Sequence, residues 1–304
     1  MTSPKPPAAV SALIPVLVCT FAIFLLSAMD AVMKGLVIAI GVYNTVLWRS
    51  LFATVIAGSA WAAGTRTRPS PAVLRLHALR AAVIAIVLIS FFWGLARLPL
   101  AEAIALSFVA PLIALFLAAL MLGEQIRRQA IWGSVAGTAG VVIIMAGQFG
   151  RSAYTEAALA GTGAVLFSTV FYAYNLVLMR RQALVARPIE VSFFQNLSLA
   201  FLMCLAAPWL AVALPRDLWL PIAGITALSL SGQLLMSWAY GRAEAQSLIP
   251  TEYTAFVWAI ALGWFFFGEI VSWTTVAGAS LIIAGCLVAA RSNPKLAEPI
   301  EATV

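Results

Sequence analysis

The chain has 304 residues, of which 63% are apolar and only 10% charged, and its mean hydropathy is +1.02. A soluble domain is about a quarter charged, so a water-soluble enzyme or scaffold of this composition would present more apolar surface than water tolerates. The net charge of +7 does not point to nucleic acid, because the basic residues lie in short connections between apolar runs and form no continuous face.

A helix needs about 20 predominantly apolar residues to cross a bilayer, and the runs are taken here in chain order. The first, 10–33, follows Lys5. It exceeds the ~7–15-residue core of a secretion signal and lacks a small-residue cleavage site, so it reads as a span. The second, 41–63, is apolar except for Arg49. The third, 77–96, has a short charge-free stretch, with Arg80 and Arg97 placed to snorkel at its ends. The fourth and fifth are 101–122 and 128–148, the latter with Gly133-x-x-x-Gly137, a pattern for close helix contact. The sixth to eighth are 157–180, 190–213 and 218–240. The ninth, 246–267, includes Glu252, and the tenth is 270–290. The expected fold is therefore an all-α membrane protein of ten transmembrane helices. Cys19, Cys204 and Cys286 all fall inside apolar runs and read as buried small hydrophobes, with no disulfide or metal framework.

Basic residues fix the expected orientation. With the N-terminus in the cytoplasm, thirteen Lys and Arg fall on the cytoplasmic side, against Lys34, Arg97, Arg151 and Arg216 on the other, with Arg49 inside a span. Both termini are then cytoplasmic.

The two halves resemble each other. Trp93-x-x-x-Arg97 returns as Trp238-x-x-x-Arg242, and Gly123-Glu124 as Gly268-Glu269, both 145 residues later. Gly133 and Gly140 match Gly278 and Gly285 at the same offset, and Ala101-Glu102-Ala103 returns as Ala243-Glu244-Ala245 with a small slip. This predicts a duplication: a tail at 1–9, a first five-helix repeat over 10–148, a second over 149–290 and a tail at 291–304. Five is odd, so the second copy enters from the opposite side. Inverted repeats of this kind are associated with secondary transporters that bind substrate near mid-membrane.

Phe108-Val-Ala-Pro111 leading to Leu122-Gly123-Glu124, and Glu252-Tyr253-Thr254 leading to Phe267-Gly268-Glu269, resemble the paired EamA signature of the drug/metabolite transporter superfamily. Lys34 and Arg49 fit the same pattern, and the resemblance runs from about 10 to 290. Within that superfamily the chain looks most similar to YddG-like aromatic amino acid exporters. The resemblance implies a bacterial inner-membrane exporter of amino acids or related metabolites. It also implies a cavity between helices 1–4 and 6–9, with helices 5 and 10 supporting from outside. One departure is that Pro111 corresponds to Phe256, so a helix break is not expected at the matching place in the second half.

Candidate site residues come from polar groups inside spans. Asp30 and Arg49 could pair as a gate or a zwitterion dock, or as a structural ion pair; Asp30 and Lys34 are also i,i+4 neighbours. Glu252 suits proton coupling or recognition of an ammonium group, or a simple helix-end carboxylate. Thr226, Ser229, Gln233, Ser237 and Tyr240 make one helical stripe; Ser168, Tyr172 and Asn175 make another, Asn175 lying 145 residues after Asp30. Gln195 and Asn196 add a third. Such stripes either line a cavity or hold helices together. Trp93 and Trp238 form an aromatic cage or anchor the interface, and Tyr253 joins the binding set by the resemblance to the signature.

No enzyme motif is present: His77 is the single histidine, and HExxH, GxSxG and P-loop patterns are absent. The expectation is alternating-access export of an amino acid without cofactor or metal, by a monomer or homodimer partnered by lipid and not by nucleic acid. Transport of another small metabolite such as a vitamin or nucleoside, and a receptor or scaffold role, are the alternatives.

Overall fold

The computed structural model describes residues 13–64, 69–122, 128–149, 155–243, 248, 251–252 and 254–290, and its regular elements are all helices. The first, α1 (Leu13–Ala63), has 51 residues. Drawn straight at ~1.5 Å per residue it would be more than twice as long as the ~30 Å hydrocarbon layer is thick. It does not run straight: Gly41 has φ 80° and ψ 160°, backbone angles that a residue without Cβ adopts without strain. The arms on either side, 13–40 and 42–63, both meet one stretch of the eighth helix. A Cβ on Gly232 would touch Leu26 of the first arm, and Ser229 bonds Arg49 of the second. The two arms therefore form a hairpin. Lys34, expected just beyond the first span, is instead inside the helix and 6% exposed.

Next comes α2 (Pro71–Leu95), capped by Ser70, whose hydroxyl accepts from Val73 N, with proline at its first position. It starts before the expected residue 77 and carries Arg80 well inside. The fourth run is broken: α3 (Leu100–Ser107) ends at Phe108 and α4 (Val109–Leu122) follows. Pro111 in the first turn of α4 cannot donate to the preceding turn, so the helix restarts there. Then come α5 (Arg128–Phe149), α6 (Glu156–Val185), α7 (Pro188–Leu210), a single 3₁₀ turn (Arg216–Leu218), α8 (Trp219–Tyr240), α9 (Thr254–Phe267) and α10 (Trp273–Ala290). Among the described residues, the stretches of 18 or more residues long and apolar enough to cross a membrane are Leu13–Ala63, Pro71–Leu95, Glu156–Val185, Pro188–Leu210 and Arg216–Tyr240, with shorter apolar helices beside them.

Element limits recur 145 residues apart. Val109 and Thr254 open α4 and α9, and Leu122 and Phe267 close them; Arg128 and Trp273 open α5 and α10; Leu95 and Tyr240 close α2 and α8; the breaks after the first arm and after α6 fall at Gly41 and Ala186. The matching start of α9 corrects the expectation from Phe256. There the restart needs no proline in the helix: Thr251 and Glu252 form a 3₁₀ turn, with Thr251 Oγ1 donating to Leu248 O at 2.6 Å and Thr254 Oγ1 to Thr251 O at 2.7 Å. These hydroxyls satisfy carbonyls that an interrupted helix leaves open.

Packing pairs the first arm of α1 with α8, its second arm with α7, α2 with α6, and α5 with α10. Two pairs approach backbone to backbone. A Cβ on Gly94 of α2 would lie 2.6 Å from Gly161 O of α6, and a Cβ on Gly140 of α5 would lie 2.5 Å from Gly278 O of α10, with the reverse also true. Gly140 and Gly147 of α5 thus both lie close against α10, at Gly278 and Thr274.

Polarity is distributed as lipid demands. Trp273, Leu220 and Trp209 are 80% exposed or more, while Lys34, Arg49, Arg80, Glu102 and Asn175 are buried. One end of the bundle is tied by Lys34 Nζ, which donates to Leu98 O at 2.8 Å and pairs with Glu269 Oε1; Glu269 Oε2 accepts from Leu100 N at 2.7 Å. The opposite end is tied by Arg180 Nη1 donating to Tyr240 O and by Arg181 Nη2 donating to Met121 O at 3.2 Å.

Candidate functional site

A cavity of about 220 Å³ lies between both arms of α1, α2, α3, α6, α7, α8 and the turn before α9. It is smaller than the usual range for ligand pockets, ~300–1,000 Å³. Its walls differ in character. Leu88, Phe91, Phe92, Ile104 and Phe108 form an apolar wall from α2 and α3. The rest carries Asp30, Arg49, Arg80, Tyr172, Asn175, Gln195, Asn196, Ser229, Gln233 and Glu252.

The helical stripes explain why these polar groups converge. Ser168, Tyr172 and Asn175 lie on one face of α6, and Ser229, Gln233 and Ser237 on one face of α8; all six line the cavity. Thr226 and Tyr240, at the ends of the α8 stripe, are buried but do not line it.

A hydrogen-bonded chain crosses three helices. Asn196 Nδ2 donates to Gln233 Oε1 at 3.3 Å, Gln233 Nε2 donates to Ser229 Oγ at 2.9 Å, and Arg49 Nη1 donates to the same Ser229 Oγ at 2.6 Å. Arg49 is 2% exposed, and its Nε has no protein partner. Asp30 lies close enough to act on it electrostatically, but among the described residues the two make no ion pair within 4 Å. The expected i,i+4 partner of Asp30, Lys34, pairs with Glu269 instead.

Glu252 is 8% exposed. Its Oε2 accepts from Tyr172 Oη at 3.0 Å, and its Oε1 has no partner. Arg80, which also lines the cavity, is held by neutral acceptors: Nε donates to Asn175 Oδ1 at 2.9 Å and Nη1 to Gln182 Oε1 at 2.5 Å. Gln182 continues to His77 Nδ1 at 2.6 Å, and His77 Nε2 lies 3.6 Å from Glu190 Oε1. Two cations and two carboxylates thus share one small space, each with hydrogen-bonding capacity to spare or a neutral holder. That arrangement can take a small molecule bearing both charges.

Of the residues expected from sequence, the structure brings Asp30, Arg49, Tyr172, Asn175, Gln195, Gln233 and Glu252 to the cavity. Trp93 and Trp238 are not on its lining. Each is covered by the arginine one turn later: Arg97 Cζ stands 3.5 Å from the Trp93 ring centre and Arg242 Cζ 4.2 Å from that of Trp238. The i,i+4 spacing that made the pair conspicuous is the spacing at which an arginine in the turn after a helix folds back onto a tryptophan of the helix's last turn. Tyr253 lies outside the described residues. Arg80 was missed, read as a residue snorkelling at a span end. The signal that places it was Ser70-Pro71, which starts the helix before residue 77 and sets Arg80 ~14 Å along it.

The model of the EamA-like transporter family matches the chain twice, over residues 8–146 and 159–291. The chain belongs to the EamA-like transporter family. It is 28% identical over 281 residues to the pseudopaline exporter CntI of Pseudomonas aeruginosa, a match covering 91% of this chain and 96% of the relative. It is also 28% identical over 222 residues to an uncharacterized transporter of Helicobacter pylori, covering 70% and 72%. A protein solved by crystallography superimposes with a TM-score of 0.66 at 20% identity, over 90% of this chain and 97% of that one, a likeness of fold. As an EamA-like transporter this chain is a multi-pass integral membrane protein whose named relatives move molecules across membranes.

Proposed function

We propose that this protein is a secondary exporter of amino acids, aromatic and other neutral ones among them, working by alternating access in a bacterial inner membrane. The observation that carries the reading is the two-walled cavity. A guanidinium with a bare Nε at Arg49, set in the Ser229–Gln233–Asn196 chain, suits a carboxylate. The carboxylates of Asp30 and Glu252 suit an ammonium group, and the wall of Phe91, Phe92 and Phe108 suits an apolar or aromatic side chain. Asn175, Gln195 and Tyr172 complete the binding set.

In this reading the ten helices are two inverted five-helix repeats with both termini cytoplasmic. The 145-residue recurrence of element limits and the double family match support it. The Lys34–Glu269 tie then closes the periplasmic end and the Arg180–Tyr240 tie the cytoplasmic end, and exchanging the two closures moves the cavity's opening from one side to the other. The broken helices α3–α4 and the turn before α9 carry Phe108 and Glu252 at the cavity, where interrupted helices of transporters bind substrate.

The test is counterflow of labelled phenylalanine, leucine, serine and lysine in liposomes. Saturable flux of at least one neutral amino acid above empty vesicles is expected, and no flux of any would reject the proposal. The pseudopaline exporter favours a second reading, export of pseudopaline or a related metabolite, because the match to that relative spans nearly the whole chain. It predicts that amino acids exchange slowly and compete weakly.

A further inference from the structure

We propose that Glu252, held by Tyr172, is the point at which the cavity exchanges a proton for the ammonium group of its substrate, so that substrate leaving is tied to a proton entering. This deepens the reading above by naming the charge that drives transport.

The argument starts from what a buried carboxylate requires. Glu252 is 8% exposed and lines the cavity, with Oε1 directed to no partner. A charged group in that position, unpaired and out of water, is costly enough that it must be neutralised. The protein offers no cation to do so. Among the described residues Glu252 makes no ion pair, and the groups facing it are neutral: Tyr172 of α6, through the 3.0 Å bond, Tyr240 of α8 and Cys19 of α1. The other carboxylate of the cavity differs, since Asp30 has the Arg49 guanidinium acting on it. Of the two cavity cations, Arg49 is engaged by Ser229 and Arg80 by Asn175 and Gln182.

Two neutralising groups remain, a proton and a ligand cation, and they exclude one another at Oε1. When an ammonium group binds, the O–H bond of the Glu252 carboxyl breaks, the proton passes to water on the side the cavity then faces, and the carboxylate keeps the electron pair and accepts from the ammonium. When the ligand leaves, a proton from the opposite side restores the neutral carboxyl. A carrier that changes sides only with Glu252 neutralised exchanges one for the other. Tyr172 acts as a positioning residue: its hydroxyl holds Oε2 at 3.0 Å and leaves Oε1 as the oxygen without a partner.

The test uses the purified full chain in detergent and three probes that share a phenyl ring: phenethylamine (ammonium alone), 3-phenylpropionate (carboxylate alone) and phenylalanine (both). Isothermal titration in two buffers of different ionisation enthalpy counts protons released. Phenethylamine is expected to bind with release of one proton, its affinity rising about tenfold per pH unit on the acid side of the transition. 3-Phenylpropionate is expected to release none. In Glu252→Gln the release disappears and phenethylamine affinity falls at least tenfold. In Tyr172→Phe the release remains but its pH midpoint moves, which loss of packing alone would not produce.

Failure of the wild type to bind phenethylamine, binding without proton release, or equal release by Glu252→Gln each overturns the proposal. Should Glu252→Gln not fold, the wild-type count and the Tyr172→Phe profile decide. Proton-coupled phenethylamine binding with no amino-acid flux in vesicles would reject the amino-acid reading and leave this one standing.

Discussion

Replacing Lys34 by methionine removes the cation from the tie between α1, α3 and the turn after α9 while keeping the stem's volume. Lys34 is 6% exposed, and the Glu269 side chain 15%. Breaking a buried pair from one side costs ~3–5 kcal/mol, because the other charge stays buried without compensation. Here Glu269 keeps the Leu100 N–H and some solvent, while Leu98 O loses its donor, so the expected cost is about 3 kcal/mol, the low end of that range. Glu269→Gln leaves the lysine against a neutral amide and a carbonyl and is expected to cost a similar amount. The double variant removes both charges together, so its cost falls short of the two single costs added, by at least 1 kcal/mol. Reversible unfolding of purified protein in mixed micelles, titrated with denaturing detergent, measures all three. Single-variant costs below 0.5 kcal/mol, or strict additivity in the cycle, would refute the reasoning, since either shows two independently solvated groups.

Three further outcomes follow from contacts already described. Gly140→Ala sets a methyl 2.5 Å from Gly278 O and is expected to cost ~1–3 kcal/mol in the same assay, whereas Gly163→Ala, with nothing within 4 Å, is expected to stabilise by up to ~1 kcal/mol; equal effects would show that α5 and α10 do not pack as closely as found. Ser229→Ala takes the shared acceptor from Arg49 and Gln233 and is expected to weaken substrate binding about tenfold or more in competition assays with little change in expression; unchanged affinity would move the carboxylate site elsewhere. Trp93→Phe and Trp238→Phe keep a ring under Arg97 and Arg242 and are expected to leave transport rates within twofold of wild type, and a larger loss in either would return that ring to the substrate path.

The cavity stripes were legible because a helix places every third or fourth residue on one face. Ser168, Tyr172 and Asn175, or Ser229, Gln233 and Ser237, could be read as common faces from spacing alone. Trp93 and Trp238 stood out as a repeated pair, and the structure sets each against the arginine four residues on and off the cavity lining. The reach of Arg80 into the cavity was present in the chain as Ser70-Pro71, a start signal outweighed by the count of apolar residues. Charge counting marks where a chain leaves lipid, whereas capping marks where the helix begins.

Composition and hydropathy by themselves determined that this chain folds in a bilayer as helices, since backbone groups in lipid are satisfied within a helix and a lipid-facing surface must be apolar. The recurrence of the Gly-Glu and Trp-x-x-x-Arg pairs 145 residues apart was likewise legible by itself, because recurrence is a property of the string, and the family model matches the chain twice. Which charges meet was decided only in three dimensions. Asp30 is four residues from Lys34, yet Lys34 pairs with Glu269, 235 positions away, and Glu252 finds Tyr172 across 80. Sequence separation carries no information about which helix lies alongside which. That choice is made by close backbone approaches such as Gly94 on Gly161 and by the turn at Gly41, and it sets which buried charge is left without a partner.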